Sequence, residues 1–268
     1  MKLSGQVRKM KVEPEAPIQY FLDLDKESHS LNSYIGNKLK IKWKGIITCV
    51  ECGRKTKKSY DQGYCFVCSR DLPENEMCSV RPELCVHENG NEVAKEFWRT
   101  YCNIDHFVYL SLTSGVKVGI TRHYNIPYRW IDQGAVKGLI IAKVPERILS
   151  GKIETAVSKN FADKTNWRKM LKSEYEDLNL LEYREKAHEL FPEDLKCYAL
   201  ENEGIQELVY PVESVPEKIT SHNLDKNPEF EDKLTGIKGQ YLIFETRVIN
   251  VRKYSGYHLE FNFLGVDE

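Results

Sequence analysis

Two closely spaced pairs of cysteines constrain this chain more than any other feature of its sequence. Two residues separate Cys49 from Cys52 and Cys65 from Cys68, and twelve residues lie between the pairs. Each pair can direct two thiolates at one metal ion at about 2.3 Å, and the turn at Gly63 suits a short hairpin between the pairs. The spacing therefore predicts a zinc ribbon. Because all four ligands are thiolates, this zinc is expected to be structural rather than catalytic.

Three later cysteines and one histidine predict a second zinc site. Its candidate ligands are Cys78, Cys85, Cys102 and His106. On a continuous helix, Cys102 and His106 share one face because they are four positions apart. We therefore predict a Cys3His site, with His87 as the substitute ligand. The alternative is that the first two cysteines are small buried apolar residues, which is also the expectation for the lone Cys197.

The composition is that of a folded protein without a membrane segment. The chain has 268 residues, 41% of them hydrophobic, and its 15 Tyr, 10 Phe and 4 Trp can bury large areas. No segment approaches the roughly 20 apolar residues of a membrane span, and residues 1–17 lack the apolar core of a signal peptide. Eight cysteines in such a chain are expected to be reduced and available for metal. We therefore expect a cytoplasmic protein that does not bind membranes.

The formal net charge of -1 conceals an uneven distribution of charge. Residues 38–70 carry nine Lys or Arg against two acidic residues, and residues 117–172 carry twelve against four. Residues 173–245 reverse the balance, with eighteen acidic and seven basic residues. Lysine runs are often only solvated faces, but Lys55, Lys57 and Lys58 lie between the cysteine pairs, where they could meet phosphates. The basic segments predict a nucleic-acid partner, DNA or RNA, and the acidic helical segment offers a surface for a protein partner.

Both ends of the chain are rich in predicted strands, whereas the middle is not. Alternating or apolar runs predict strands at 3–11, 18–24, 38–43, 207–210, 239–244, 248–252 and 257–261. Because exposed strand edges are avoided by pairing, we expect the two ends to join in one β-rich domain. The predicted fold class is α+β. Its four regions are a β-rich domain (1–45 plus 205–268), a zinc-binding region (46–106), a central module (107–165) and an acidic helical segment (166–204).

The central module has the predicted order β-β-α-β-α. Its segments are a hairpin at 107–121, a helix at 127–134, a strand at 138–144 and a helix from 145 to 161, followed by an acidic helix from 167 towards 191. Gly115 lies in a three-residue turn between two apolar runs, which is typical of a hairpin. Pro127 and Pro145 can each begin a helix, and Gly134 can end the first one.

Residues in this order resemble the core of the GIY-YIG nuclease superfamily. The matching residues are Phe107-Val108-Tyr109, Lys117-Val118-Gly119-Ile120-Thr121, Arg129 in the first helix and Glu154 in the second. The resemblance covers about 107–161, roughly a fifth of the chain. It implies that Tyr109 assists deprotonation of the attacking water, that Arg129 stabilises phosphate charge, and that Glu154 binds one divalent metal, Mg²⁺ or Mn²⁺.

Two positions depart from the superfamily pattern. Phe107 replaces the usual first Gly, and Lys117 occupies the place of the second Tyr, where a lysine could contact phosphate. The loop between Lys117 and Arg129 is also slightly long. Through residues 130–135, 163–167 and 236–242, the chain is further similar to a prokaryotic family of unknown function, and that resemblance implies no activity.

Two functions from different classes fit these residues. One is a metal-dependent endonuclease with Tyr109, Lys117, Arg129 and Glu154 at its active site, and the other is a non-catalytic DNA- or RNA-binding protein that uses the same basic surface. A protein-binding adaptor that uses the acidic helix has less support. Convergence of Tyr109, Arg129 and Glu154 in an open basic cleft favours the enzyme, whereas burial of Glu154 against Arg or Lys favours the binder. Either protein holds one or two zinc ions, and the enzyme also needs Mg²⁺ or Mn²⁺.

Overall fold

The computed structural model describes residues 1–161 and 165–265, which form antiparallel sheets with short helices and confirm the mixed α+β class. The strands are β1 (Lys2–Gln6), β2 (Lys11–Glu13), β3 (Gln19–Leu24), β4 (Glu27–Ser30), β5 (Lys38–Ile47), β6 (His106–Leu112), β7 (Val116–Arg122), β8 (Lys137–Val144), β9 (Gln206–Glu207), β10 (Glu229–Lys238), β11 (Tyr241–Phe244), β12 (Val248–Asn250) and β13 (Tyr257–Leu264). The α-helices are α1 (Phe66–Asp71), α2 (Glu92–Phe97), α3 (Tyr128–Asp132), α4 (Arg147–Ser158), α5 (Trp167–Leu171) and α6 (Leu180–Glu189).

The chain divides into two compact units. The first unit contains Met1–Arg70 and Val209–Glu268, and the second contains Asp71–Leu208. Residues from both ends of the chain therefore share one unit, which also includes the first four cysteines. The four regions predicted from the sequence remain predictions. Residues 162–164 of the predicted central module lie outside the described residues.

A six-stranded sheet in the order β1-β13-β5-β10-β11-β12 is the main layer of the first unit. In the pairing of β5 with β13, Ile41 lies opposite Phe261 and Leu39 opposite Phe263, and all four side chains are buried. Lysines alternate with the apolar residues of β5, so this strand buries one face and presents charge on the other, as expected of an antiparallel strand. A second sheet has the order β2-β3-β4.

The second unit is built on a four-stranded sheet in the order β7-β6-β8-β9. Its core joins the sheet to α4 and α6 through buried residues that include Val108, Leu110, Leu139, Ile141, Ile153, Val157, Leu180 and Ala187. The elements β6, β7, α3, β8 and α4 follow each other in the predicted order β-β-α-β-α. This order positions the candidate site residues, while membership of the GIY-YIG superfamily remains a proposal.

Three features of the fold differ from the sequence predictions. The strand predicted at 207–210 is only β9, which pairs with β8 in the second unit. The helix predicted from 167 towards 191 is split into α5 and α6, because Ser173 has a left-handed φ of 54° and the Asn179 side chain caps a new helix by accepting from the Leu181 N–H. The patterns also do not predict β4 and β10. The second half of β10 is buried on both faces beyond a register shift between Leu234 and Gly236, so its side chains lack a simple alternation.

Candidate functional site

The four cysteines of the predicted ribbon come together just after β5. Their sulfur atoms all lie within 4.8 Å of one another, and Sγ of Cys52 is 3.8 Å from Sγ of Cys65. Two sulfurs bound at about 2.3 Å to one tetrahedral zinc are themselves about 3.8 Å apart. Cys49 and Cys65 are buried, whereas Cys52 is exposed. This cluster could hold a metal ion such as zinc, and the ribbon fold around it remains a prediction.

Backbone hydrogen bonds close the chain around these sulfurs. The Gly53 N–H donates to Cys49 O at 3.0 Å, and the Cys49 N–H donates to Arg54 O at 2.9 Å. Gly53 has a φ of 70°, which a residue without a Cβ adopts at no steric cost. At Gly63, an added Cβ would lie 2.6 Å from a methyl carbon of Val50. Both glycines are therefore required for the tight approach of the two cysteine pairs.

Other backbone amides around the cluster favour the thiolate form of the buried cysteines. Burial raises the pKa of the Cys49 thiol, but N–H groups of Cys52, Cys65 and Glu51 outweigh burial and lower that pKa to about 7. The N–H of Cys68 lowers the pKa of Cys65. Donors aimed at a sulfur stabilise its charged form, which is the form that binds metal.

The surface beside this cluster is basic and aromatic. Phe66 is 57% exposed, and the guanidinium of Arg70 lies 5.8 Å from the centre of its ring. Nζ of Lys58 lies 5.2 Å from the ring centre of Tyr60. The neighbouring exposed cations are Arg54, Lys55 and Lys57. Such a surface can contact phosphates through its cations while an exposed ring stacks on a base. Sequence reasoning missed Phe66, because nothing in the pattern distinguishes it from a buried residue.

The lysines of β5 lie in a different environment. Nζ of Lys40 and Nζ of Lys42 lie 3.9 and 3.3 Å from a carboxylate oxygen of Glu229. Lys38 and Lys44 make similar contacts with Glu231 and Glu260, at 3.8 and 4.0 Å. These cross-strand carboxylates weaken the positive field of the strand. The basic segment 38–70 is therefore part ion-paired strand and part exposed basic turn.

A second group of sulfur ligands surrounds His87. Cys78, Cys85 and His87 place their ligand atoms within 4.8 Å of one another. Nδ1 of His87 lies 3.8 Å from Sγ of Cys78, 3.6 Å from that of Cys85 and 3.9 Å from that of Cys102. The sulfurs of Cys85 and Cys102 are 3.9 Å apart. These residues could hold a metal ion, and His87, the predicted substitute, is the histidine that lies among them.

The cysteines of this second group affect one another's pKa values. Hydrogen bonding with the side chains of Cys102 and Cys78 holds the pKa of Cys85 well below its usual range. The Cys85 sulfur, together with burial, raises the pKa values of Cys78 and Cys102. Crowded sulfurs thus oppose each other's ionisation, and a bound dication relieves that opposition.

His106 lies outside this group because the helix that was expected to carry it ends too early. The helical segment ends with the π-helical turn Trp98–Cys102, and Asn103 leaves the helical conformation with a ψ of 53°. His106 then begins β6, where it is buried and its Nδ1 donates to Ile104 O at 2.8 Å. Burial lowers the pKa of His106 to about 4. The predicted helical face shared by Cys102 and His106 is therefore wrong, as is the predicted burial of Cys197, which is exposed.

The four residues of the central resemblance lie together in the second unit. They are Tyr109 on β6, Lys117 on β7, Arg129 on α3 and Glu154 on α4. Burial and, to a smaller extent, Arg129 lower the pKa of Lys117, whereas Glu154 raises it, and together they bring this pKa to about 8. Burial raises the pKa of Tyr109, which Arg129 lowers and Glu154 raises. Tyr109 and Lys117 thus experience the same two charges, so Arg129 and Glu154 lie close to both.

Tyr109 is fully buried, whereas the other three residues are half-buried. Tyr109 pairs with Gly119 across the hairpin, and an added Cβ at Gly119 would lie 2.6 Å from the phenol oxygen. The phenol donates to Oε1 of Gln133 at 3.2 Å, and its ring meets the Trp130 ring edge-on at 5.9 Å. One orientation of the phenol is therefore favoured. Sequence reasoning missed Gln133, because a glutamine at a helix end is usually solvated.

Comparison with known proteins gives a family but no activity. The family described as Protein of unknown function (DUF2797) matches residues 36–259. No curated protein and no solved structure matches the chain. Among the described residues, no helix is both long enough and apolar enough to cross a membrane.

Proposed function

Since the chain belongs to the DUF2797 family, whose description assigns no activity, we propose a function from its own residues: it binds nucleic acid and hydrolyses phosphodiester bonds. One observation carries this proposal: the charges of Arg129 and Glu154 act on both Tyr109 and Lys117, so the four side chains lie close together. The order β-β-α-β-α and the resemblance to the GIY-YIG superfamily support it. A cation, a carboxylate and a titratable amine in one place are the groups that phosphodiester hydrolysis requires.

Each residue has a distinct role in this proposal. The planar guanidinium of Arg129 holds non-bridging phosphate oxygens. The carboxylate of Glu154 holds one divalent cation, Mg²⁺ or Mn²⁺, and fits this task because a single carboxylate completed by water and phosphate oxygens is a common ligand set for Mg²⁺. When bound, such an ion neutralises the charge that develops on the phosphate and on the leaving oxygen.

Lys117 is the base in this proposal, and Tyr109 is a positioning residue. The pKa of Lys117 is about 8, so its neutral amine is accessible near physiological pH. Neutral Nζ accepts a proton from water while the water oxygen bonds to phosphorus and the bond from phosphorus to the sugar oxygen breaks. Solvent then supplies a proton to that sugar oxygen. Tyr109 is fully buried and its pKa is raised, so its phenol stays protonated and helps to hold Gln133 and Arg129 in place.

Nucleic-acid binding is proposed for the exposed basic turn between the first cysteine pairs. Arg54, Lys55 and Lys57 are exposed there, and Phe66 offers a ring to an unpaired base. Zinc is the metal proposed for both cysteine groups, because thiolate-rich tetrahedral sites favour zinc. In this role, zinc shapes the binding surface and takes no part in the reaction.

Replacement of Glu154 tests the catalytic proposal. Glu154→Gln keeps the size of the side chain but removes the charge that holds the cation, so cleavage of mixed DNA and RNA with Mg²⁺ or Mn²⁺ should fall by about 10²-fold or more. Binding of uncut substrate should change little. The matched control is Glu185→Gln, which removes an exposed carboxylate from α6. No cleavage by the wild-type protein with either cation, despite normal binding, contradicts the proposal.

A non-catalytic nucleic-acid-binding protein is the second candidate function. One observation favours it: Glu154 lies beside Lys117 and Arg129, so these side chains could neutralise one another without any substrate. In that case Glu154→Gln lowers the stability of the folded protein and affects no catalytic step. The two candidates are separated by the same assay, because only the enzyme produces shorter strands.

A further inference from the structure

The segment between α1 and α2 lacks a hydrophobic core of its own. It contains only short 3-10 turns, at Pro73–Asn75, Met77–Ser79, Pro82–Leu84 and His87–Asn89. Its apolar side chains point to solvent: Met77 is 68% exposed, Val80 81% and Val86 66%. The residues that it buries are Cys78, His87 and the two prolines Pro73 and Pro82. A short chain that turns its sulfur and imidazole groups inward and its apolar groups outward needs a stabilising element other than hydrophobic burial.

The distances around His87 point to a metal ion as that element: Cys78, Cys85 and His87 place their ligand atoms within 4.8 Å of one another, and Cys102 lies close to two of these residues. For one zinc at about 2.3 Å from sulfur and about 2.0 Å from nitrogen, each sulfur lies about 3.6 Å from the nitrogen and about 3.8 Å from the next sulfur. The three distances from sulfur to Nδ1 of His87 are 3.6, 3.8 and 3.9 Å, and the distance between the sulfurs of Cys85 and Cys102 is 3.9 Å. Nε2 of His87 also lies 3.7 Å from Sγ of Cys78, but it is already bonded to Glu76 at 2.9 Å, so Nδ1, which faces all three sulfurs, is the ligand atom.

The other ring nitrogen of His87 has the partner that a metal-bound histidine requires. Nε2 donates to a carboxylate oxygen of Glu76 at 2.9 Å, which fixes the tautomer that leaves Nδ1 free of its proton. Three thiolates, one neutral imidazole and Zn²⁺ carry a single negative charge. The Arg147 guanidinium lies near this charge, because it donates to the carbonyl oxygen of Ser79, the residue after Cys78.

The same segment is pressed against α4. Arg147, at the start of α4, donates to Ser79 O at 3.3 Å. One turn later, an added Cβ at Gly151 would lie 2.5 Å from the backbone N of Glu83 and 2.8 Å from a ring carbon of Pro82. The backbone of the 3-10 turn Pro82–Leu84 therefore touches the helix where the helix has no side chain. Glu154 follows Gly151 by three residues and lies close to this face.

We propose that Cys78, Cys85, Cys102 and Nδ1 of His87 form a closed zinc site that clamps the segment 72–90 onto α4. The ion holds the turn against Gly151, and the turn holds the helix. Loss of the ion releases the segment, which has no core to replace it. The clamp does not depend on the proposed function. Only its consequence, that zinc fixes the position of the Glu154 carboxylate, rests on that function.

Cys102→Ser in the full-length chain tests the site and the clamp together. The variant should hold one zinc ion fewer per chain than the wild type, and amide hydrogen exchange in 147–158 should accelerate by about tenfold or more. Exchange in β5 should not change. Cys197→Ser is the matched control, because Cys197 is an exposed cysteine of the same unit. A Cys102→Ser chain that keeps its full zinc content overturns the site, and one that loses an ion without faster exchange in α4 overturns the clamp.

Gly151→Ala tests the clamp without touching a ligand. Because coupling is reciprocal, a methyl group that pushes the turn from α4 should weaken zinc binding at this site by about tenfold, measured by competition with a chelator. Gly204→Ala should leave affinity unchanged, since an added Cβ there meets nothing within 4 Å. Equal affinities in the two variants overturn the clamp. Substitution of Co²⁺ for zinc reports the site by its thiolate charge-transfer absorption, even for a variant of low stability.

These readouts separate the inference from the proposed function. Glu154→Gln should keep its zinc content whether or not the wild-type protein cleaves nucleic acid, because Glu154 is not one of the proposed zinc ligands. If the zinc and exchange measurements support the clamp but the wild-type protein cleaves no nucleic acid, only the proposed function is contradicted. If Cys102→Ser shows faster amide exchange in α4 but cleaves nucleic acid as fast as the wild type, the link from zinc to Glu154 is contradicted.

Discussion

Lys117 differs more than the other candidate residues from an ordinary solvated side chain. It lies on β7 opposite Ser111, half-buried and close to Arg129 and Glu154. Burial, and then Arg129, lower its pKa to about 8 from an ordinary value of about 10.4. Lys117 therefore loses its proton much more readily than a solvated lysine, and this property is what a general base or a switchable phosphate contact requires.

The lowered pKa makes the free energy of unfolding depend on pH in a defined direction. Between about pH 8 and pH 10.4, Lys117 is neutral in the folded chain and protonated in the unfolded chain, so stability rises with pH. Lys117→Met should be more stable than the wild type below about pH 8, and this advantage should shrink as the pH approaches 10.4. Urea unfolding of both proteins across this range measures the effect. An advantage that stays constant with pH contradicts the lowered pKa.

Glu154→Gln refines this measurement. The Glu154 carboxylate raises the pKa of Lys117 against the effect of burial, so its removal should move the onset of the rise in stability to lower pH. Glu185→Gln should leave the onset unchanged. An onset that is the same in all three proteins indicates that Glu154 does not lie close to Lys117.

At the scale of elements, β5 and the turn that follows it contain lysines of different availability. The lysines of the strand face Glu229, Glu231 and Glu260 across the sheet, whereas Lys55 and Lys57 are exposed in the turn. Exposed ion pairs contribute only about 0 to 1 kcal/mol to stability, but they weaken the positive field that a phosphate meets. Binding should therefore depend on the turn and hardly at all on the strand.

Salt dependence separates the two sets of lysines. Replacing Lys55 or Lys57 with Ala should reduce the slope of log affinity against log salt by about 0.7 to 0.9 for each phosphate that the side chain no longer neutralises. Replacing Lys40 or Lys42 should leave the slope nearly unchanged, which makes the strand variants a matched control with the same change in net charge. Filter binding or fluorescence anisotropy with mixed-sequence DNA and RNA gives both slopes. Equal changes in the two sets contradict the assignment of the turn as the binding surface.

The elements also show which features can be predicted from the sequence. The hairpin of β6 and β7 and the short helix α3 can be predicted because their sequence signals act within a few residues. These signals are the alternation of apolar residues in the strands, and Pro127 and Gly134 at the ends of the helix. Local sequence signals cannot predict that His87, and not His106, lies among the sulfurs of the second group. This arrangement depends on a π-helical turn that ends at Cys102 and on 3-10 turns that carry His87 back to the sulfurs. Spacing rules assume one regular helix and cannot predict that path.

The neighbours of Tyr109 are a further case in which the sequence predicts the residue and the packing decides its role. The strand pattern places Tyr109 opposite the second strand of a hairpin, but only the three-dimensional structure shows that the phenol fills the space left open by Gly119. Complete burial and the bond to Gln133 then favour a positioning role over the catalytic role that the resemblance implies. The catalytic assignment of all four residues remains a prediction for the cleavage assay.

At the scale of the whole molecule, each compact unit contains, among the residues that the structure describes, one group of side chains that could hold a metal ion. Cys49, Cys52, Cys65 and Cys68 belong to the first unit, and the group around His87 belongs to the second. Both groups lie in segments with little regular structure and few buried apolar side chains, where a bound metal would supply folding free energy that a hydrophobic core does not. The metal content of the purified chain is therefore a direct test of how the whole molecule is stabilised.

Elemental analysis of the chain, purified without added metal, should give close to two zinc ions per molecule. Cys65→Ser removes a ligand from the first group and should leave one ion, and Cys65→Ser combined with Cys102→Ser should leave none. Cys197→Ser should keep both ions, because this exposed cysteine lies in neither group. If the wild type holds only one ion, one of the two sites is contradicted. The single variant, Cys65→Ser or Cys102→Ser, that still holds this ion then shows which group is empty. A content of zero contradicts both sites, and it would require segments with little core to be held by side-chain contacts alone.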